Sequence, residues 1–452
     1  MNVWVAVRKV VPSHSRRPFF HAILPICFVC IVHLQCLVSL QVGVGPRRTV
    51  PSFASRLRKR PVVVECSRCT ALGSEGSSND KEDLMMSRWA RPLLYLRAEV
   101  QGAVERLGWP PLLARDWVTD DRSGDREMTP GKVEIKGNTR NLSVLQWNVL
   151  SDGLSGDHPN QGGFVRSPPD SLDWQKRKWR ILEEVLSWDC DVLTLQEVDH
   201  HEDWLSPQLE RVGYRGVFIK KPAAPALDYG SDLEDGCSIF YRSDRLELLD
   251  FRGFTYCVPE NGDTNVEADD ITSTGKVDEG GTGSLVVLAT THLKASKEEK
   301  GELIRAQQVK QLLDEVQRFR SLHTSSRGLN AQDVPVVVTG DFNAIPHTFL
   351  GPSKYKPQCF NTILQHPLKL RSAFDVDSVF TTWKIRPKSE AVDTIESKHC
   401  IDYIWVSEGV EVAQESTMPT GEALGPPRAP SYVYPSDHFA LAVKLQLPQL
   451  LG

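Results

Sequence analysis

The sequence predicts an α/β fold in which two β-sheets pack face to face with helices on the outside. Two observations carry this expectation. Short apolar runs, rich in Val, Ile and Leu, recur between residues 139 and 448, and only two long stretches there keep a helical period. Pairs of short strands with few helices fit two packed sheets better than one sheet wound on both faces. The 452 residues, 40% hydrophobic and 25% charged, are ordinary globular composition for one large domain with an extension.

The extension comes first. Residues 1–70 hold eleven Lys and Arg against one acid, Glu65. The whole chain has 53 basic and 58 acidic residues, so residues 71–452 keep 42 and 57, a net charge of −15. Arg8, Lys9, Arg16 and Arg17 precede a charge-free stretch, 18–46, centred on ICFVCIV (26–32). A basic segment followed by an apolar one is the pattern of a secretory signal or signal anchor. His21, Pro25, His33 and Gln35 interrupt it as a spanning helix, which favours a cleaved leader over an endomembrane anchor. Residues 47–60 are rich in Arg and Ser without an acid, as in transit peptides, so the leader 1–70 is expected to deliver the chain to a plastid, with the mitochondrion as the second choice. Membrane contact is expected only if the apolar segment is retained. The ten cysteines show no framework spacing, and the lone pair Cys66 and Cys69 is weak support for zinc or redox chemistry.

Residues 71–138 read as a linker. Residues 73–83 are polar, 84–107 have the pattern of an amphipathic helix suited to packing or anchoring, and 116–137 form a charged connection.

In the body, each apolar run ends in polar residues. LSVLQWN (142–148) ends in Asn148, and after a Gly-rich loop a helix is expected over 173–188, with Ile181, Leu182, Val185 and Leu186 on one face. DVLTLQE (191–197) ends in Glu197. Alternating strands follow at 236–242 and 246–251, and then an insertion, 258–283, with seven acids and one Lys that reads as a surface loop. LVVLATTH (285–292) ends in His292. A second helix is expected over 298–319, with Leu303, Val309, Leu312, Leu313, Val316 and Phe319 as core residues. VVVTGDFN (336–343) presents Asp341 and Asn343 around a Phe that returns to the core. HCIDYIWV (399–406) places Asp402 inside a strand, and YPSDH (434–438) brings Asp437 and His438 to the start of a last strand. Taken singly, each polar residue is an ordinary strand end. Together they are the carboxylates, amides and imidazoles that a hard cation and a phosphate ester require.

The set WN, LQE, THLK, GDFN, IDY and SDH, in this order, resembles the endonuclease/exonuclease/phosphatase superfamily of metal-dependent phosphoesterases. The segments FVRSP (164–168), ILEEV (181–185), LQEVDH (195–200), THLKA (291–295), TTWKIR (381–386) and YPSDH (434–438) are similar to its nocturnin subgroup, a relative of the carbon catabolite repressor type deadenylases. The resemblance spans residues 139–448 and implies a four-layer α/β sandwich, two mixed sheets face to face with helices outside.

A phosphoester needs its charge neutralised, a water aligned in line and a stabilised leaving oxygen. Glu197 is the best single metal ligand, with Asn148 orienting metal or phosphate, and oxygen ligands favour Mg²⁺ with Mn²⁺ as substitute. Asp341 can align or deprotonate the water and Asn343 can donate to the phosphate. The resemblance further implies that His292 and His438 bracket the phosphoryl oxygens, that Asp402 fixes the tautomer of His438, and that Asp437 lies beside the metal.

The substrate implied is NADP(H), losing its 2′-phosphate, or, as in the deadenylase relatives, the 3′ end of poly(A). Lys221, Lys294 and Arg386 match basic positions of the subgroup. One position departs: Ser296 stands where the subgroup has Arg, with Lys297 or Lys300 as candidates to compensate. An acidic body without a basic stripe favours the small substrate over an extended RNA backbone. Trp147 and Trp383 can stack a base or serve as core. A phosphatase of inositol phosphates or sphingomyelin fits the TTWKIR segment less well, and a silent binding module would require a lost motif, of which there is none.

Overall fold

The computed structural model describes residues 2–9, 89–119, 141–222, 227, 233–258, 271–273, 285–325, 327–346, 357–388 and 393–448. In chain order these form β1 (Asn2–Lys9), α1 (Ala90–Arg106), β2 (Trp117–Thr119), β3 (Asn141–Asn148), α2 (Pro169–Leu172), α3 (Trp174–Trp188), β4 (Val192–Val198) and α4 (Ser206–Glu210). Then come β5 (Tyr214–Lys220), β6 (Gly236–Arg242), β7 (Leu246–Phe254), β8 (Ile271–Ser273), β9 (Leu285–His292), α5 (Glu299–Ser325), β10 (Val336–Asp341), α6 (Gln358–Gln365) and β11 (Arg371–Ser372). The chain closes with β12 (Thr382–Pro387), β13 (Thr394–His399), β14 (Asp402–Val406), β15 (Glu411–Ser416), α7 (Gly421–Leu424) and β16 (Leu441–Gln446).

The strands make two seven-stranded sheets and one hairpin. One sheet runs β11-β14-β10-β9-β1-β7-β8, the other β2-β15-β16-β3-β4-β6-β5, and β12 pairs with β13 alone. Each large sheet has a parallel pair near its middle, β9 with β10 and β3 with β4. These four strands are buried on both faces, which is why they read as continuous Val/Leu runs rather than as alternating patterns. Along β3 and β4, Val144 and Val192 turn to the core between the sheets, while Leu145 and Leu193 turn to the layer of α1 and α3. Val309, Leu312, Leu313, Val316 and Phe319 of α5 seal the opposite face. The result is four layers, and it brings the carboxyl ends of both parallel pairs to one place.

Local chemistry sets the ends of these elements. Asp173 caps α3 by accepting from the Gln175 amide, and Asp189 stops it in the left-handed region at φ 47°. Gly340 has φ 146°, and a Cβ there would lie 2.2 Å from the Thr291 carbonyl oxygen, so only glycine lets β10 run this close to β9.

Several expectations need correction. The leader 1–70 is not wholly outside the fold, because Asn2–Lys9 pairs with both β7 and β9. Its apolar and transit-like parts lie outside the described residues. The linker expected over 116–137 contributes β2, which pairs with β15. The acidic insertion 258–283 contains β8, paired with β7, and is otherwise outside the described residues apart from its first residue. The run 399–406 is broken at Cys400 and Ile401, since β13 and β14 belong to different sheets. Leu303 lies on the outer side of α5, 42% exposed. Among the described residues no helix is long and apolar enough to cross a membrane.

Candidate active site

The ends of β3, β4, β9, β10 and β14, with the turn before β16, gather the polar residues in one buried cluster. Asn148 ends β3. Its Nδ2 donates to Glu197 Oε1 at 2.9 Å and to Asp341 Oδ2 at 3.1 Å, while its Oδ1 accepts from the Leu150 amide at 3.0 Å. Asn148 thus holds the two carboxylates in place through its Nδ2, while its oxygen takes the Leu150 amide. Glu197 reaches this position through a bulge in the β4–β6 ladder between Leu195 and Val198, at φ 55°. Asn343 has φ 49° and Leu150 φ 61°. Left-handed backbone at non-glycine residues costs of order 1–3 kcal/mol each and persists only where the surroundings fix it.

Asp341 ends β10, opposite His292 on one side and Asp402 on the other. Burial, and then the charge of Asp402, push its carboxyl up to about 7. His438 Nδ1 lies 2.8 Å from Asp402 Oδ2, and its Nε2 lies 3.8 Å from both Asp341 and Asp437. Burial alone would discharge this imidazole, but Asp402, Asp437 and Asp341 outweigh it and raise it to about 9. His292, whose Nε2 is 3.6 Å from Asp341, goes the other way: burial, then Lys221, hold it well below the usual range and therefore neutral. Thus one histidine is a cation and the other a neutral imidazole. Asp437 is buried, yet Lys384, His438 and Arg386 together draw its carboxyl far down, and it receives Lys384 Nζ and, at 3.2 Å, Arg386 Nη2.

The remaining predicted residues are less uniform. Lys221 is half-buried beside Asp235 at 3.4 Å and acts electrostatically on Glu197 and His292. Lys294 is exposed, two residues beyond His292. Asn343 turns its amide to the Leu293 carbonyl at 3.2 Å, so in this structure it braces the loop after β9. Ser296 accepts from the Glu298 amide through Oγ and from Arg305 Nη1 through its carbonyl, a role in starting α5. Trp147 is fully buried and donates Nε1 to the His438 carbonyl at 2.7 Å. Trp383 is covered by Arg428 at 4.5 Å and Lys398 at 4.2 Å. Trp147 therefore offers no free face to a base.

Sequence reasoning missed a layer of support. Gln146, Gln196, Thr290 and Asp402 form a hydrogen-bond network between the two sheets. Ser436 donates to the Asn148 carbonyl at 2.7 Å and accepts from the His438 amide at 3.1 Å. Lys384 lay within TTWKIR but was not singled out. Arg177 is fully buried on the apolar face of α3, and that position, four residues before Ile181, was the available signal. Its Nη1 donates to the carbonyls of Val149, Leu150 and Pro435, which ties the exit of β3 to the turn carrying Asp437 and His438. Arg177→Lys keeps a charge but replaces the planar group whose single Nη1 reaches all three carbonyls. It is expected to lower kcat by about 10–100-fold while the far-UV circular dichroism spectrum stays unchanged.

The cluster fits a divalent cation. Its donors are carboxylate oxygens, which suit a hard cation, and Asp341 is buried beside Asp402. Asp341, Asp402 and His438 can each offer one ligand atom, all within 4.8 Å of one another. Asp402, however, already receives His438 on Oδ2 and Gln146 on Oδ1. The half-buried Glu197, joined to Asp341 through Asn148 Nδ2, adds a further carboxylate beside this group.

These shifts set a pH dependence for the protein in EDTA. Asp341, ordinarily 3.8 and here about 7, and Asp199, raised by burial to about 6, keep protons in the folded state that the unfolded chain has released. His438, ordinarily 6.5 and here about 9, does the same at higher pH. At these groups the folded state binds more protons, so their contribution to stability falls as pH rises, across about 4–7 and then about 6.5–9, whereas His292, held low, opposes the fall below about 6.5. The urea midpoint in EDTA is therefore expected to decline from pH 7 to pH 9, and Asp341→Asn to raise the midpoint at pH 7 relative to pH 5.

Known proteins bear on this geometry. Residues 145–438 match the Endonuclease/Exonuclease/phosphatase family. Nocturnin of Xenopus laevis is 36% identical over 311 residues, 67% of this chain and 71% of its own. The CCR4-Not complex 3'-5'-exoribonuclease subunit Ccr4 of Neurospora crassa is 24% identical over 396 residues, covering 71% of this chain and 47% of its own. The structure of the human nocturnin catalytic domain with bound sulfate anion superposes with a TM-score of 0.48 at 26% identity, over 75% of this chain and 98% of that one.

Proposed function

The chain belongs to the Endonuclease/Exonuclease/phosphatase family and is a hydrolase of phosphoric esters, and from that premise we propose that it removes the 2′-phosphate of NADP(H), in a Mg²⁺-dependent reaction that leaves NAD(H) and phosphate. The observation that carries this reading is the set of cations around one acidic cluster. Lys384 and Arg386 meet at Asp437, Lys221 acts on Glu197, and Lys294 follows His292. A terminal phosphomonoester dianion requires such a set, and a body of net charge −15 otherwise disfavours a long polyanion.

Glu197 and Asp341 would hold the cation, which when bound neutralises phosphoryl oxygens and acidifies a water. Asp341, at the end of β10 opposite His292, is placed to align the attacking water or to take its proton. The cationic His438 offers Nε2 to a phosphoryl oxygen while Asp402 holds Nδ1. Neutral His292 supplies a second imidazole contact without adding charge. Asn148 keeps the two carboxylates apart and aimed at the same point.

A second reading, a 3′-exoribonuclease acting on poly(A), is favoured by one residue. Ser296 stands where the nocturnin resemblance implies Arg, and it is occupied at the start of α5. Phosphate release from NADP⁺ and NADPH, and shortening of labelled oligo(A), measured with Mg²⁺ and with EDTA, separate the two. EDTA-sensitive release with intact oligo(A) supports the phosphatase. Shortened oligo(A) with untouched NADP(H) replaces it by the nuclease.

A further inference from the structure

The strand between β7 and β9 does not come from the chain that joins them. That connection, residues 255–284, supplies one described strand, β8, on the outer side of β7. The inner position is filled from the start of the sequence. Asn2–Lys9 runs antiparallel to Phe254–Leu246 on one side, and Asn2–Arg8 runs antiparallel to Thr291–Leu285 on the other. Take β1 away, and β7 and β9 face each other across roughly 10 Å, twice the spacing of paired strands. Each then presents a row of amides and carbonyls, which is the template that accepts an added strand.

The seat of β1 bears on the site. Thr291, the residue before His292, is held by Gly340 of β10 on one side and by Asn2 on the other. Asp341 in turn lies opposite His292. The end of β9 that carries the neutral imidazole is therefore flanked by two strands, and one of them is β1. A register shift between Ala6 and Val7 along β7 gives β1 one defined position in the slot.

We propose that residues 2–9 are a built-in donor strand: they must occupy the β7/β9 slot for His292 and Asp341 to stand in register, and the slot accepts the same sequence when it is no longer covalently attached. The occupant is this chain's own amino-terminal segment. Recognition rests on two antiparallel backbone ladders and one bulge, so it requires an extended peptide of matching register.

Hydrogen exchange on the full chain tests the seating without reference to any substrate. The amides of residues 2–9 are expected to exchange as slowly as those of β9, and exchange at the rate of an unstructured peptide overturns the proposal. Dependence is tested on the full chain carrying a protease site after residue 12. After cleavage, the peptide is expected to stay with the body through gel filtration, with activity within about twofold of the uncut chain. Loss of the peptide with activity intact overturns the proposal. Val5→Pro in the same chain, mid-strand where proline is excluded, is expected to lower Tm by about 5 °C or more and to release the peptide on cleavage. A synthetic peptide of residues 1–12 then restores activity. If Val5→Pro prevents folding altogether, the cleaved parent chain decides. A dimer in which each copy supplies the strand of the other overturns the assignment to the chain's own segment.

Discussion

Replacing Glu197 by alanine is expected to cut phosphoester turnover by about 10³-fold or more. A bound cation contributes several kcal/mol of charge stabilisation at the phosphoryl group, and each ~1.4 kcal/mol is a factor of ten. The fold has little reason to fail. Glu197 is half-buried, among the described residues it accepts from Asn148 Nδ2 and the Ser151 amide, and Asn148 keeps its bond to Asp341. Removing one carboxylate from a crowded acidic cluster also relieves repulsion. Calorimetric titration with Mg²⁺ should show binding lost in the variant while the circular dichroism spectrum and Tm stay close to the parent. Activity near the parent level would remove Glu197 from the metal assignment.

Asp402→Asn is expected to cost about 10²–10⁴-fold in kcat/KM, the range of positioned acid–base groups. Its effect should depend on pH, which a purely structural loss would not. Asp402 is the strongest of the carboxylates that hold His438 at about 9. Without that charge the imidazole moves back towards its ordinary 6.5, so the variant loses the cation as pH rises through neutrality. The parent keeps it to about pH 9. The pH profile of kcat/KM for the variant should therefore bend down roughly two units earlier, and an unshifted profile would assign Asp402 to packing alone.

The residues that carry chemistry were legible because their strands are. β3, β4, β9 and β10 are apolar runs that stop abruptly, and a carboxylate or imidazole at such an end stands out. Their convergence follows from topology, since both parallel pairs point the same way into the gap between two sheets. What the sequence did not disclose depends on backbone geometry and on partners far along the chain. The bulge that aims Glu197 leaves no residue-type signature, and neither does the bond from the Leu150 amide that fixes the side-chain oxygen of Asn148. Arg177 reads as one more basic residue in WQKRKWR, and only its three carbonyl partners, two near residue 150 and one at 435, give it a role. The split of 399–406 arises because Thr381 Oγ1 takes the amides of Ile401 and Asp402, a contact across twenty residues. Basic residues followed by an apolar stretch describe a leader well. The same first residues also form a strand, seated between two others.

The placement of β1 also constrains how the protein can meet a lipid bilayer. Lys9 closes β1 and Ala90 opens α1, and both belong to the same compact unit. The chain between them leaves one folded body and returns to it. A polypeptide with both ends anchored on one side can enter a bilayer only by coming back out of the same leaflet, or by crossing an even number of times. A single-pass anchor formed by residues 18–46 would put β1 and its slot on opposite faces of the membrane. The seating of β1 is therefore incompatible with a single crossing between Lys9 and Ala90.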